Sequence, residues 1–246
     1  MAARLAALLI GALLAACGAS SGVSSVGSGG GVPGLEQSHY LAEIKQALRA
    51  QWPQNRTVTI VCHGHSVPAG YFKTPRTRSL DAYPNLLRIA LAEHYPYAVI
   101  NIIVSGIGGE NAEAGAERFT RDVLAHRPDV VTIDYALNDR AIGLDRARAA
   151  WMTMIEAAQA QQIKVILLTP TPDLNANLDD PNDPLNQHAA QIRQLAARYH
   201  VGLIDSLQIF QRAAADGGLP RFMAQFNHPN RAGHQLIAEA LYRWFE

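Results

Sequence analysis

The sequence predicts an α/β fold, a parallel sheet with helices on both sides. Two observations carry this. Strand-like and helix-like segments alternate along residues 57–245, and that alternation is the signature of parallel strands joined by crossover helices. The strand segments are also nearly continuous apolar runs rich in β-branched residues, as expected where both faces of a sheet are covered.

The elements follow in order. An amphipathic helix is expected over "SHYLAEIKQALRAQW", capped by Ser38. Strands are expected at 57–62, 98–104, 129–134, 163–169 and 201–205. Helices are expected at about 80–94, 111–126, 144–161 and 185–199, with a last one over 231–245. Residues 170–184, "PTPDLNANLDDPNDP", read as a loop from their Pro, Asn and Asp content. A loop of that length in a compact domain often shapes a site.

The 246 residues, 48% hydrophobic, are enough for one sizeable core. Formal charge is zero, so no basic excess points to nucleic acid. Residues 1–16 have the form of a secretory signal: Arg4, then an apolar run from Leu5 to Ala16. They end in Leu14-Ala15-Ala16-Cys17, which resembles a bacterial lipobox and implies lipidation of Cys17. Gly18 rather than Asp, by resemblance to Gram-negative lipoproteins, favours the outer membrane, facing the periplasm. The Gly/Ser-rich remainder of residues 17–37 reads as a tether, and 38–246 as the folded domain. Lipidation would leave Cys62 as the one other cysteine, expected as a buried small hydrophobe.

In a parallel sheet, function gathers at the carboxyl ends of strands. The first strand ends in His63-Gly64-His65-Ser66. Plain readings are a tight turn or a His-x-His metal pair, but no third ligand is marked by spacing. The other reading is a serine nucleophile, which needs a base and oxyanion donors. "SGIGGEN" offers Gly106, Gly108 and Gly109; "ALND" offers the Asn138 amide; "QFNHPN" offers His228 just before the last helix.

The pattern resembles the SGNH/GDSL hydrolase superfamily. Gly64-His65-Ser66 stands for its first block, Gly109-Glu110-Asn111 for the second, Ala136-Leu137-Asn138-Asp139 for the third, and Gln225-Phe226-Asn227-His228-Pro229-Asn230 for the last. The resemblance implies a flavodoxin-like three-layer sandwich with a five-stranded sheet of order 2-1-3-4-5. It implies ester hydrolysis without a cofactor or metal, with Ser66 as nucleophile and His228 as base. The Ser66 and Gly109 N–H groups and the Asn138 amide would hold the oxyanion. An acetyl ester on carbohydrate is the expected substrate; lysophospholipase, thioesterase and a retired carbohydrate-binding protein are the alternatives.

Three residues depart from the pattern. His65 and Ala136 replace the family's aspartate and glycine. Gln225 stands where the acid that orients the histidine belongs, so a Ser–His dyad or a substitute acid is expected. Asp173, ending the fourth strand, is the replacement candidate, with Asp134 and Asp139 as alternatives. Tyr71, Phe72 and Tyr135 are candidates to line the cleft.

Overall fold

A computed structural model describes residues 37–215 and 218–246. The signal segment, Cys17 and the tether lie outside the described residues except at their last position. Five parallel strands form the central sheet: β1 (Thr57–Gly64), β2 (Val99–Gly106), β3 (Val130–Asp134), β4 (Lys164–Leu168) and β5 (Gly202–Ile204), in the order β2-β1-β3-β4-β5. That is the doubly wound order expected from the sequence.

Alternation along each strand divides the core. Val58, Ile60, Cys62, Val130, Ile166 and Ile204 face one layer, packed with helices α1 (Ala42–Arg49), α2 (Tyr83–His94), α6 (Ser206–Ala213) and α7 (Arg231–Tyr242). Val61, Val131, Ile133, Val165 and Leu203 face the other, packed with α3 (Ala112–Asp122), α4 (Leu144–Ala160) and part of α5 (Pro184–Tyr199). Successive side chains of a strand point to opposite faces, so one apolar run feeds both layers. Cys62 is free and fully buried, and burial pushes its thiol up to about 12.

Polar caps set where the helices begin. Asn111 Oδ1 accepts from the N–H groups of Glu113 and Ala114, Asp183 from Leu185, and Asn230 from Gly233. These caps hold α3 and α7 immediately behind the loops that carry Gly109 and His228.

Several details differ from expectation. The first helical stretch is a single turn, Gln37–Tyr40, followed by α1, which starts after Leu41 with no side-chain cap. The edge strand β2 is not covered on both faces: Val99 and Val104 are half exposed. Helix α6 and two small hairpins were not expected. One hairpin pairs Tyr71–Lys73 with Arg76–Thr77, the other Met223–Gln225 with His228–Pro229.

Candidate active site

The carboxyl edge of β1 exposes Ser66 because only glycine fits before it. A Cβ on Gly64 would stand 2.5 Å from the Asp134 carbonyl and 2.8 Å from Pro68 Cγ. Strand β1 can therefore lie against β3 up to its last residue. His65 N donates to Asp134 O at 3.2 Å, then caps the one-turn helix Ser66–Ala69. The turn lifts the Ser66 hydroxyl to the floor of an open cleft of about 550 Å³.

His228 reaches Ser66 from the cleft side. Its Nε2 lies 2.9 Å from Ser66 Oγ. The imidazole is carried on the short strand opposite Gln225, with Tyr71 alongside at 5.8 Å between ring centroids. Burial, with His65 close by, lowers its pKa to about 4, while the nearby Phe72 carbonyl works in the opposite direction. The ring is therefore neutral at pH 7 and able to accept the serine proton. Its Nδ1 is buried and makes no completed hydrogen bond.

The second wall is the loop after β2. Gly109 adopts φ +82°, in the left-handed region open to glycine, and nothing lies within 4 Å of where a Cβ would sit. Its N–H has no acceptor among the described residues. Gly108 must be glycine for a different reason: a Cβ there would strike the Tyr71 ring at 2.8 Å. Asn138 Nδ2 donates to Glu110 O at 2.8 Å, which ties the third block to the second and places the amide on the cleft beside Gly109. Free N–H donors and a side-chain amide beside a serine can stabilise a developing oxyanion.

Arg118, which the motifs do not mark, bolts this wall together. Its guanidinium is 7% exposed and donates to Glu110, Asp122, Ser105 Oγ, Tyr135 OH and the Gly64 and Ser105 carbonyls. One side chain thus joins the ends of β1 and β2 to the start of α3. A basic residue on the inward face of α3 was the available signal. His63 belongs to the same framework. Its Nδ1 meets Ser105 Oγ at 3.0 Å and its Nε2 meets the Gly115 carbonyl and Tyr135 OH, each at 3.1 Å. Tyr135 is fully buried there, so it does not line the cleft; Phe72 lies under Arg78, and Tyr71 alone of the three aromatics borders the cleft.

Asp173 does not stand in for the missing acid. Its carboxylate accepts from Arg140 Nη2 at 2.7 Å and from Asn175 N at 2.9 Å, and it borders a separate hollow beneath the 170–184 loop. The loop turns the side chain back on itself. Asp139 is also engaged elsewhere. It accepts from Ala112 N and Trp151 Nε1, both at 2.7 Å, and burial raises its pKa to about 6. Gln225 uses its amide to accept from Thr74 N at 2.9 Å and to donate to Asn227 at 2.8 Å, not to serve His228. Asp134 does not reach His228 either: it is buried, with Oδ1 3.4 Å from His65 Nε2 and Oδ2 3.4 Å from Tyr83 OH.

A serine hydroxyl on a neutral imidazole, at the carboxyl edge of a doubly wound sheet and beside free N–H donors, is the arrangement of a serine hydrolase. The chain belongs to the GDSL-like lipase/acylhydrolase family of carboxylic ester hydrolases, whose model matches residues 62–236. Among curated proteins it is 24% identical over 162 residues to an acetylxylan esterase of Geobacillus stearothermophilus, covering 61% of this chain and 74% of that one. The fold is similar to the crystal structure of Axe2, an acetylxylan esterase from the same organism. The TM-score is 0.68 at 22% identity, over 76% of this chain and 94% of that one. It is also similar to a lipase/acylhydrolase from Enterococcus faecalis, with a TM-score of 0.63 at 23% identity and the same two coverages.

Proposed function

We propose that the protein is a small-acyl serine esterase that removes acetyl groups from carbohydrate. The observation that carries this is the 2.9 Å contact of His228 Nε2 with Ser66 Oγ inside a cleft whose walls are small and polar. Thr74, Gly108, Gly109, Asn138, Gln225 and Asn227 offer hydrogen bonds or bare backbone. Tyr71 and Phe226 are the large apolar side chains at the rim, too few to enclose a long acyl chain but suited to lie against a sugar face. The acetylxylan esterase relatives support the same reading.

His228 Nε2 takes the Ser66 proton as Oγ attacks the ester carbonyl carbon. The carbonyl oxygen becomes an oxyanion held by the N–H groups of Ser66 and Gly109 and by the Asn138 amide. Collapse of the tetrahedral adduct breaks the bond to the sugar oxygen, which leaves with the proton from His228. Water, deprotonated by the same nitrogen, attacks the acetyl-Ser66 carbonyl, and acetate departs as the proton returns to Oγ. Residues 1–17 add a proposal of place: a lipid anchor at Cys17 that holds the enzyme on the outer membrane, facing the periplasm.

Hydrolysis of p-nitrophenyl acetate and octanoate, alongside acetate release from acetylated xylooligosaccharides, tests the substrate. Selectivity for acetate in both assays is expected. A preference for octanoate would move the substrate to lipids. No turnover, with Ser66 unreactive to a fluorophosphonate, would leave a binding protein on a hydrolase fold.

A further inference from the structure

The lip of the cleft carries positive charge that the fold does not use. In the hairpin of Tyr71–Lys73 with Arg76–Thr77, Lys73 stands directly opposite Arg76, so the two side chains share a face. Both are exposed, and among the described residues neither makes an ion pair or a side-chain hydrogen bond. Like charges directly across a ladder destabilise it. Arg78, at the base of the same hairpin, is engaged: it lies over the Phe72 ring and reaches Asp81 at 3.8 Å. Residues 71–78, "YFKTPRTR", hold no carboxylate of their own.

This pair stands beside the reacting atoms. Thr74, in the turn between the two cations, borders the cleft along with Ser66 and His228. Its N–H donates to Gln225 Oε1 at 2.9 Å, which ties the turn to the hairpin that carries His228. Among the described residues no Asp or Glu borders the cleft. The acids of the adjoining segments are taken: Asp81 by Arg231 at 2.7 Å, Glu110 by Arg118 at 2.7 Å and Asp173 by Arg140 at 2.7 Å. Asp139 is buried against Ala112 N and Trp151 Nε1. The field of Lys73 and Arg76 is therefore not cancelled at the mouth of the cleft, and it extends about 8 Å at physiological ionic strength.

We propose that Lys73 and Arg76 form a carboxylate-binding subsite at the cleft lip, and that the substrate is an acidic O-acetylated polysaccharide with a uronic acid close to the acetylated sugar. The inference deepens the esterase reading above and rests on it. The acetyl ester sits at Ser66 and the sugar lies against Tyr71 and Phe226. A uronate carboxylate then meets the two cations where the chain passes Thr74. Arg76 offers a fork of N–H donors and Lys73 a point charge. Both contacts are present in the bound substrate and persist in the transition state, so they act on KM and not on kcat.

The test compares two substrates that differ in one charge. The first is an acetylated xylooligosaccharide with a glucuronic acid branch; the second is the same oligosaccharide with that carboxylate converted to its primary amide. Acetate release is followed at about 20 mM and about 0.5 M salt. In dilute salt the acid is expected to have the higher kcat/KM, by about three- to tenfold and through KM, as two exposed ion pairs allow. In strong salt the ratio should fall to within about twofold of unity. Lys73→Gln with Arg76→Gln should give the low ratio at both salt concentrations. Lys73→Arg with Arg76→Lys should keep the preference for the acid, and Lys73→Glu with Arg76→Glu should reverse it. Each result is a ratio of two substrates on one protein, so a loss of folded enzyme cancels, and the salt comparison needs no variant. A wild-type ratio near unity in dilute salt, or a preference that survives in the Gln variant, would overturn the proposal and leave the esterase reading standing. If neither oligosaccharide loses acetate and Ser66 does not label with a fluorophosphonate, the esterase reading falls, and this inference with it.

Discussion

The two walls of the cleft are built on different principles. The glycine wall, residues 105–118 with Asn138, is held by buried charge: Arg118 bridges Glu110, Asp122 and two strand-end carbonyls, and Asp139 caps the start of α3. The histidine wall, residues 71–77 with 223–229, is held by short backbone pairings and neutral amide contacts from Gln225. The first wall is rigid at the cost of desolvating ions. The second carries the group that must change charge during the reaction, and it brings no counter-ion. What this teaches is a division of labour: the oxyanion donors are fixed in advance, while the imidazolium must be stabilised from elsewhere.

The largest effects should come from the two groups in contact. Ser66→Ala or His228→Ala is expected to lower kcat/KM for p-nitrophenyl acetate by about 10³-fold or more, with little change in Tm. Next, Arg118→Ala should destabilise the fold by about 3 kcal/mol in urea titration, because it strands Glu110 and Asp122 and frees two strand-end carbonyls. A change of equal size should not follow from Gln225→Ala on the other wall, whose contacts are exposed. Asn138→Ala is expected to reduce kcat by about 10²-fold, as loss of one oxyanion donor does, with KM nearly unchanged.

The pH dependence sharpens the contrast further. Burial lowers His63, His188 and His228 to about 4 and His234 to about 3. The unfolded chain takes up protons on these rings near pH 6.5, the folded chain only near 4 or below. Stability from them is therefore complete above about pH 6.5 and is lost as pH falls toward 4, by roughly 2 kcal/mol for each ring at about pH 5. Asp139, raised to about 6, works in the opposite sense, favouring the fold as it is protonated, but it is one group against four. Thermal melts from pH 7 to 4.5 should show Tm falling steadily. Over the same range kcat should hold level, because the acid limb set by His228 lies near 4.

Much of the fold was legible because parallel strands announce themselves as apolar runs such as "TVTIVC" and "KVILL". The site was legible where it is local in sequence, since each block sits at a strand end or before a helix. The hairpins were not, because strands of two or three residues containing Lys73, Arg76 and Thr77 carry no apolar period. Edge exposure of Val99 and Val104 depends on strand order, not on composition. The carboxylates were the least legible part. Asp173, Asp139 and Asp134 each end or follow a strand, and which partner each finds depends on contacts 27 to 69 residues away that no spacing encodes: Arg140 for the first, Ala112 for the second, His65 for the third.

The central claim is that an acetyl group passes through Ser66 with His228 as its base. It is tested most directly by acid-quenching the protein during turnover of p-nitrophenyl acetate and mapping the acetylated peptide by mass spectrometry. The acetyl group should be found on Ser66 in the wild type, and no labelled peptide should appear in Ser66→Ala. Steady turnover with the acetyl group on another residue, or undiminished turnover by Ser66→Ala, would contradict the account.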